Sequence, residues 1–186
     1  MLGLKNLYWV VFAAVVAVIT HIVTLVFVPG MVLARSLDGL VKEGPTNQFY
    51  LLTREAQRKL FPDFPADAIF GVCRFNLSDG PVALNANLPA SLWTLTVYSR
   101  TGKTLYTVND LQSGASTFNL QLEKAPGLIE SFTAKPDDDL VASSGWKVKS
   151  ADTDGLALFW VPGNDPAMRR GLSETLAKSS CGRVSG

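Results

Sequence analysis

The chain has 186 residues, 47% of them hydrophobic, and its 17 Lys and Arg side chains nearly balance its 16 Asp and Glu side chains. This length is sufficient for one globular domain and a separate anchor. Because the charges are interspersed and form no basic stripe, the composition argues against nucleic-acid binding, which requires clustered cations.

An apolar run near the N-terminus predicts a single membrane-spanning helix. Residues 7–28 are interrupted only by three polar side chains, Thr20, His21 and Thr24. As a helix, this run rises about 33 Å, which is enough to cross the hydrocarbon core of a bilayer. Pro29 and Gly30 are expected to end the helix, so residues 1–30 are assigned as the transmembrane anchor.

A cleaved signal peptide is the alternative interpretation, with Val32 and Ala34 as the small residues before the cut. The apolar core of a signal peptide usually has about 7–15 residues, so the longer run in this chain favours an uncleaved anchor. The orientation stays open, because Lys5 on one side of the run is balanced by Arg35 and Lys42 on the other side.

One face of the anchor helix has the composition of a helix–helix contact. Ala13, Ala17, His21 and Thr24 are spaced by four, four and three residues, which places them on one side. Small side chains allow a second helix to approach closely, and a histidine can form a hydrogen bond across the contact. We therefore predict a partner membrane protein or self-association at this face. The alternative is that a lipid headgroup or a backbone carbonyl satisfies His21 without a partner.

The two cysteines, Cys73 and Cys181, predict a disulfide. Both follow the membrane segment, and an even count suits an oxidising compartment. Cys73 is expected in an early strand and Cys181 just beyond a C-terminal helix, so that the bridge clamps this helix to the sheet. The alternative is two unrelated reduced thiols.

Residues 31–66 are expected to connect the anchor to the main domain. Residues 54–66 are polar and contain Pro62 and Pro65, which predicts a turn-rich connection. Before them, apolar residues at helical spacing predict a short juxtamembrane helix that ends near Gly44 and Pro45. These apolar residues are Val32, Leu33, Leu37, Leu40 and Val41.

Residues 67–186 have the pattern of a β-rich domain. Short apolar or alternating runs are separated by turn residues, and residues 128–133 are ambiguous between a helix and a loop. About seven strands at this spacing predict a mainly β fold, either a β-sandwich or a jelly roll. The predicted strands are residues 68–75, 82–88, 92–98, 104–108, 116–122, 140–149 and 156–161.

A C-terminal amphipathic helix is expected to pack on this β-domain. Asp165 can cap its N-terminus, with Pro166 at the first helical position. Met168, Leu172 and Leu176 then lie on one face, which is predicted to be the buried one.

Five stretches of the chain carry a family resemblance: residues 20–23, 72–81, 93–98, 105–110 and 161–181. The most specific is Val-Cys-Arg-Phe-Asn-Leu-Ser-Asp-Gly-Pro around Cys73. Together they resemble the DUF1254 family of small bacterial membrane proteins of unknown function. The resemblance implies a jelly-roll-like β fold and the bacterial inner membrane, with a periplasmic domain if the cysteines are bridged. The family has no established activity, so it implies fold and location rather than function.

Few residues of the β-domain suggest catalysis. The one histidine, His21, lies in the membrane run, so the domain has no imidazole for a catalytic triad or a zinc site. Asp137, Asp138 and Asp139 are interpreted as a solvated loop rather than a calcium site, because successive carboxylates diverge. Asp79 in Ser-Asp-Gly-Pro is interpreted as a turn residue rather than a glycosidase carboxylate.

A predicted hairpin offers the one candidate ligand surface. Trp93, Tyr98, Arg100 and Tyr106 surround its turn and are aromatic or cationic. Aromatic residues on hairpins are more often cross-strand core pairs, which is the alternative interpretation.

These observations favour a membrane-anchored, non-enzymatic envelope protein that acts as a structural or accessory subunit of a membrane assembly. No cofactor or metal site is predicted. Two alternatives stay open: an enzyme that modifies an envelope polymer or lipid through carboxylates, and a module that binds a ligand on the hairpin surface.

Overall fold

The computed structural model describes residues 3–40, 43–62, 64–89, 92–114, 116–126, 141–142, 145–163 and 165–184. The predictions for residues 128–133 and for Asp137, Asp138 and Asp139 lie outside these ranges. Within them, the chain forms one long N-terminal helix, two β-sheets and three shorter helices.

The N-terminal helix, α1, is continuous from Leu4 to Leu40. The predicted end at Pro29 and Gly30 is therefore wrong, and the expected juxtamembrane helix is the last part of α1. Proline removes only one backbone hydrogen bond, and packing of the following turns against the domain compensates for that loss. The segment Asn6–Val28, with a mean hydropathy of 2.7, is long and apolar enough to cross a membrane.

The strands form two sheets of five strands each. Sheet 1 has the order β1-β2-β9-β4-β5, and sheet 2 has the order β10-β3-β6-β8-β7. Neighbours are antiparallel except for β6 and β8, which are parallel. The bounds are β1 Phe49–Leu51, β2 Ile69–Asn76, β3 Val82–Asn87, β4 Thr94–Ser99, β5 Thr104–Asn109, β6 Thr117–Lys124, β7 Val141–Ala142, β8 Gly145–Ser150, β9 Asp154–Val161 and β10 Ser180–Arg183.

The mainly β, sandwich-like fold with an N-terminal apolar helix and a C-terminal helix is confirmed. Strand details differ in three places. β1 and β10 were not predicted, because they are short and lack an alternating apolar pattern. The single strand expected at residues 140–149 is instead β7 and β8, and Gly145 at the start of β8 has a φ of 132°.

The two sheets enclose the main core between their inner faces. Sheet 1 contributes Phe75, Leu95 and Phe159, and sheet 2 contributes Leu84 and Leu120, all at most 2% exposed. A disulfide between Cys73 in β2 and Cys181 in β10 joins the sheets, with the Cα atoms 6.2 Å apart. It therefore ties strand to strand rather than clamping the C-terminal helix directly.

Sheet 1 is apolar on its outer face as well. Phe70, Val72 and Leu156 are fully buried there and pack in a second cluster with Leu40 of α1 and with Phe61. Strands buried on both faces are expected to be continuous apolar runs, which explains the sequence Gly-Leu-Ala-Leu-Phe-Trp-Val in β9.

The shorter helices are α2 (Arg54–Leu60), α3 (Asp110–Ser113) and α4 (Pro166–Leu176). The turn-rich connection predicted from residue 54 is wrong for its first half, because Thr53 Oγ1 accepts from the N–H of Ala56 and begins α2.

The C-terminal helix α4 begins as predicted. The Asp165 side chain accepts from the N–H of Ala167 at 2.8 Å, and Pro166 occupies the first position. Leu172 and Leu176 pack on the core, but Met168 is 57% exposed, so the buried face is shorter than predicted.

Removal of the disulfide should destabilise the domain strongly. Replacing both Cys73 and Cys181 with Ala should lower the free energy of unfolding by about 4–5 kcal/mol, because the bridge closes a loop over a sequence separation of 108 residues. Chemical denaturation followed by tryptophan fluorescence measures this change. A reductant should lower the free energy of unfolding of the wild-type protein by a similar amount and leave that of the double variant unchanged. If the denaturant midpoint of wild-type unfolding is the same with and without reductant, the bridge is contradicted.

Candidate functional site: the foot of α1

The last turns of α1, residues 31–40, pack against the β-domain, and we call them the foot of α1. Leu40 is completely buried against sheet 1. Gly39 faces the side chain of Leu60 so closely that an added Cβ would collide with it. The glycine therefore permits the close approach of α1 to α2.

Hydrogen bonds fix the foot on two sides. Ser36 Oγ lies 3.1 Å from the carbonyl oxygen of Leu60, at the end of α2. The Tyr50 hydroxyl donates to the carbonyl oxygen of Leu40 at 3.2 Å. The same carbonyl also accepts from the backbone N–H groups of Glu43 and Gly44, so Tyr50 adds a further donor that ties this end of α1 to β1. An exposed ion pair of Asp38 with Arg100, at 4.0 Å, adds little stability.

Tyr50 is the titratable group at this junction. Burial raises the pKa of its hydroxyl, the nearby Arg74 opposes that change, and Glu43 adds to it. The hydroxyl therefore keeps its proton, and with it its ability to donate, throughout the neutral range.

A groove of about 400 Å³ lies beside the foot. Three parts of the chain form it: Val28 and Val32 of α1, residues 60–62 with Phe64, and the outer face of sheet 1. Its floor is formed by Phe61 and Leu158, which are 7% and 5% exposed. Sequence reasoning missed this site, because its residues are far apart in the chain. The pair of aromatic residues in Phe-Pro-Asp-Phe-Pro, residues 61–65, was the available signal.

A smaller depression of about 230 Å³ lies on the outer face of sheet 2. Its lining includes the polar side chains of Asn85, Asn119, Gln121 and Lys147. These side chains alternate with the inward-facing core residues of β3, β6 and β8, as expected for the solvated face of a sheet.

The four residues of the predicted hairpin surface do not lie together. Trp93 is 2% exposed and Tyr106 is half-buried, and both rings lie 6.4 Å from that of Phe118 in the core. Burial raises the pKa of Tyr106. Tyr98 and Arg100 lie on the opposite side of sheet 1, where Tyr98 lines the groove. Side chains of successive residues in an extended chain alternate between the two faces of a sheet. Trp93 and Tyr98 are separated by an odd number of positions and therefore lie on opposite faces.

Asp79, the described carboxylate that was considered for catalysis, has a structural contact. It forms an ion pair with Arg183, next to Gly80 in a turn at φ 124°. Among the described residues, no group of three or more His, Cys, Asp or Glu side chains is placed to hold a metal ion.

The predicted contact face of the anchor is exposed along α1. Ala13, Ala17, His21 and Thr24 all lie on the helix surface, outside the β-domain. The Thr24 hydroxyl donates to the carbonyl of Thr20 at 2.9 Å, so this residue is satisfied within the helix. The ring of His21 has no hydrogen bond to the part of the chain that the structure describes.

Two solved structures resemble this fold. The VPA0106 protein from Vibrio parahaemolyticus superposes with a TM-score of 0.58 at 9% sequence identity, over 87% of this chain and 37% of its own. An uncharacterised protein from Burkholderia cenocepacia gives a TM-score of 0.47 at 10% identity, over 89% of this chain and 42% of its own. The chain thus spans less than half of either protein, and the Vibrio structure shows a shared fold alone. No protein-family model and no curated protein matches the chain.

Tyr50→Phe should weaken the docking of the foot. Losing one hydrogen bond to the Leu40 carbonyl should lower the free energy of unfolding by about 0.5–1 kcal/mol, as measured by chemical denaturation. Because the folded pKa of Tyr50 is raised above 10.0, its contribution is complete below pH 10 and is lost as the pH rises through the folded value. The variant should therefore lose less stability than the wild type between neutral and strongly alkaline pH. Tyr8→Phe, on an exposed part of α1, is the control, and equal alkaline profiles for Tyr50→Phe and the wild type would contradict this role.

Proposed function

We propose that this chain is a membrane-anchored, non-enzymatic structural or accessory subunit that holds a β-sandwich at a fixed position on a membrane surface. The observation that carries the proposal is the continuity of α1. One unbroken helix runs from Leu4 to Leu40, and its last residue belongs to the core of the domain.

Membrane insertion of α1 is supported by the exposure of its apolar side chains. None of the segment Asn6–Val28 is buried by the rest of the chain. Val26 and Phe27, for example, are 66% and 61% exposed. A continuous apolar surface of this kind is costly in water and favourable in a bilayer.

The rigid connection supports a structural role. A flexible linker would let the domain rotate freely, whereas Ser36, Leu40 and Tyr50 fix the helix to the sandwich. The height of the domain above the membrane and the face it presents are then set by α1. Such a fixed geometry suits a subunit whose partner occupies a defined place beside it.

The face of Ala13, Ala17, His21 and Thr24 is the proposed contact with that partner, which is another membrane protein or a second copy. A histidine ring in the hydrocarbon layer is costly without a hydrogen-bond partner. A neighbouring helix supplies one, and the two alanines allow it to come close.

The disulfide supports a domain outside the cytoplasm, since cytosolic thiols are kept reduced. Together with the resemblance to the DUF1254 family, this gives a proposed location in the bacterial inner membrane, with the sandwich in the periplasm. The carboxylate-enzyme alternative gains no support from Asp79, which is paired with Arg183 rather than with a second acid.

Bulky or apolar replacements on the contact face should disrupt the assembly. Ala17→Leu should block close helix approach, and His21→Leu should remove the hydrogen bond across the contact, so less partner should co-purify in mild detergent. Quantitative mass spectrometry of the purified complex measures the partner. Val16→Leu, on an adjacent part of the helix, is the matched control. Equal recovery of partner with all three variants would exclude this face as the contact.

The orientation can be tested in spheroplasts of the source bacterium. Added protease should degrade the β-domain while an N-terminal tag on the cytoplasmic side stays intact. Cys73 and Cys181 should react with an alkylating reagent only after reduction. A protected domain whose thiols react without reductant would place the sandwich in the cytoplasm.

A further inference from the structure

We propose that the groove beside the foot of α1 holds one acyl chain of a bilayer lipid. This inference rests on the membrane insertion of α1 proposed above. The ligand class assigned to the groove is a long saturated or unsaturated hydrocarbon chain. The anchoring role alone does not require such a ligand.

The position of the groove is the first argument. Val28 is both the last residue of the segment that can span a membrane and a lining residue of the groove. Val32, one helical turn further along α1, lines it as well. The groove is therefore continuous with the lipid-facing surface of the helix and opens where the hydrocarbon layer ends.

The chemistry of the lining is the second argument. Phe61 and Leu158 form an apolar floor, and Leu60, Pro62 and Phe64 form one wall. The hydroxyl of Ser36 lies within hydrogen-bonding distance of the carbonyl oxygens of Val32 and Leu60, at 3.2 and 3.1 Å. Since this hydroxyl is already satisfied, Ser36 places no polar demand on an occupant, and a hydrocarbon chain suits the apolar side chains that form the floor and the wall.

The size and exposure of the groove agree with such an occupant. A volume of about 400 Å³ falls in the range of roughly 300–1,000 Å³ that is usual for small-molecule sites. Val32 and Phe64 are 55% and 40% exposed without an occupant. An acyl chain would remove this apolar surface from water.

Exposed basic residues are sequence neighbours of three lining residues. Arg35 precedes Ser36, Lys59 precedes Leu60, and Lys103 follows Gly102. Asp38, paired with Arg100, is the acidic group on the same helix. Basic residues in these parts of the chain suit the phosphate of a lipid whose acyl chain lies in the groove.

Photolabelling of the full chain in vesicles tests the inference. The vesicles are phosphatidylcholine containing a phosphatidylcholine with a diazirine at the end of one acyl chain, and peptide mapping locates the label. We expect label on residues 7–28, from general lipid contact, and also on residues 60–64 and on Leu158, which lie outside the span. Val32→Trp should fill the groove and abolish the label at residues 60–64 and Leu158 while the label on the span stays.

Met31→Trp is the matched control, because Met31 is the adjacent residue, is 53% exposed and does not line the groove. Its groove label should equal that of the wild type. Label on the span with none in the groove would overturn this inference and leave the anchoring intact. The same pattern of label is expected if a protein helix, rather than an acyl chain, occupies the groove. Equal groove label in both Trp variants would also overturn it. Absence of label from the span itself would overturn the anchoring and this inference together.

Discussion

The structure depends on a sheet that is apolar on both faces. The inner face of sheet 1 is covered by sheet 2, but its outer face carries Phe70, Val72 and Leu156, which no second sheet reaches. These side chains have to be removed from water, and the end of α1, together with α2 and Phe61, does this. Helix α1 is thus a component of the folded domain, and its foot cannot move away without exposing that face.

The same constraint explains the position of the groove. Covering a flat sheet with the end of a helix leaves gaps along its sides, because a cylinder contacts a plane along a line. Residues 60–64 close the gap only in part. The remaining space has the apolar lining of the sheet and helix that form it, and it lies at the level where α1 leaves its apolar segment. A lipid site at this place would therefore follow from the way the sheet is covered.

Local patterns predicted the elements that local forces determine. Alternation over residues 92–98 predicted the strand β4, and Asp165 with Pro166 predicted the start of α4, because a strand pattern and a helix cap depend on neighbouring residues alone. Pro29 and Gly30 misled for the opposite reason: the helix continues past them because its later turns pack on a sheet whose strands come from distant parts of the chain. β10 was missed because only Cys181 of its four residues is buried. The groove combines parts of α1, residues 60–64 and Leu158, and nothing in their separate patterns indicates that they meet.

With α1 inserted in a bilayer as proposed above, its unbroken course would couple the domain to the thickness of that bilayer. A segment of 23 residues rises about 34 Å, whereas a typical hydrocarbon core is about 30 Å thick, and a tilt of about 30° would remove the mismatch. In a protein with a flexible linker, the tilt would end at the membrane surface. Since α1 is fixed to the sandwich by Leu40, Ser36 and Tyr50, the whole domain leans with it. A thinner membrane would bring one side of the sandwich closer to the headgroups and a thicker one would raise it, so lipid composition sets the angle at which this domain meets its surroundings.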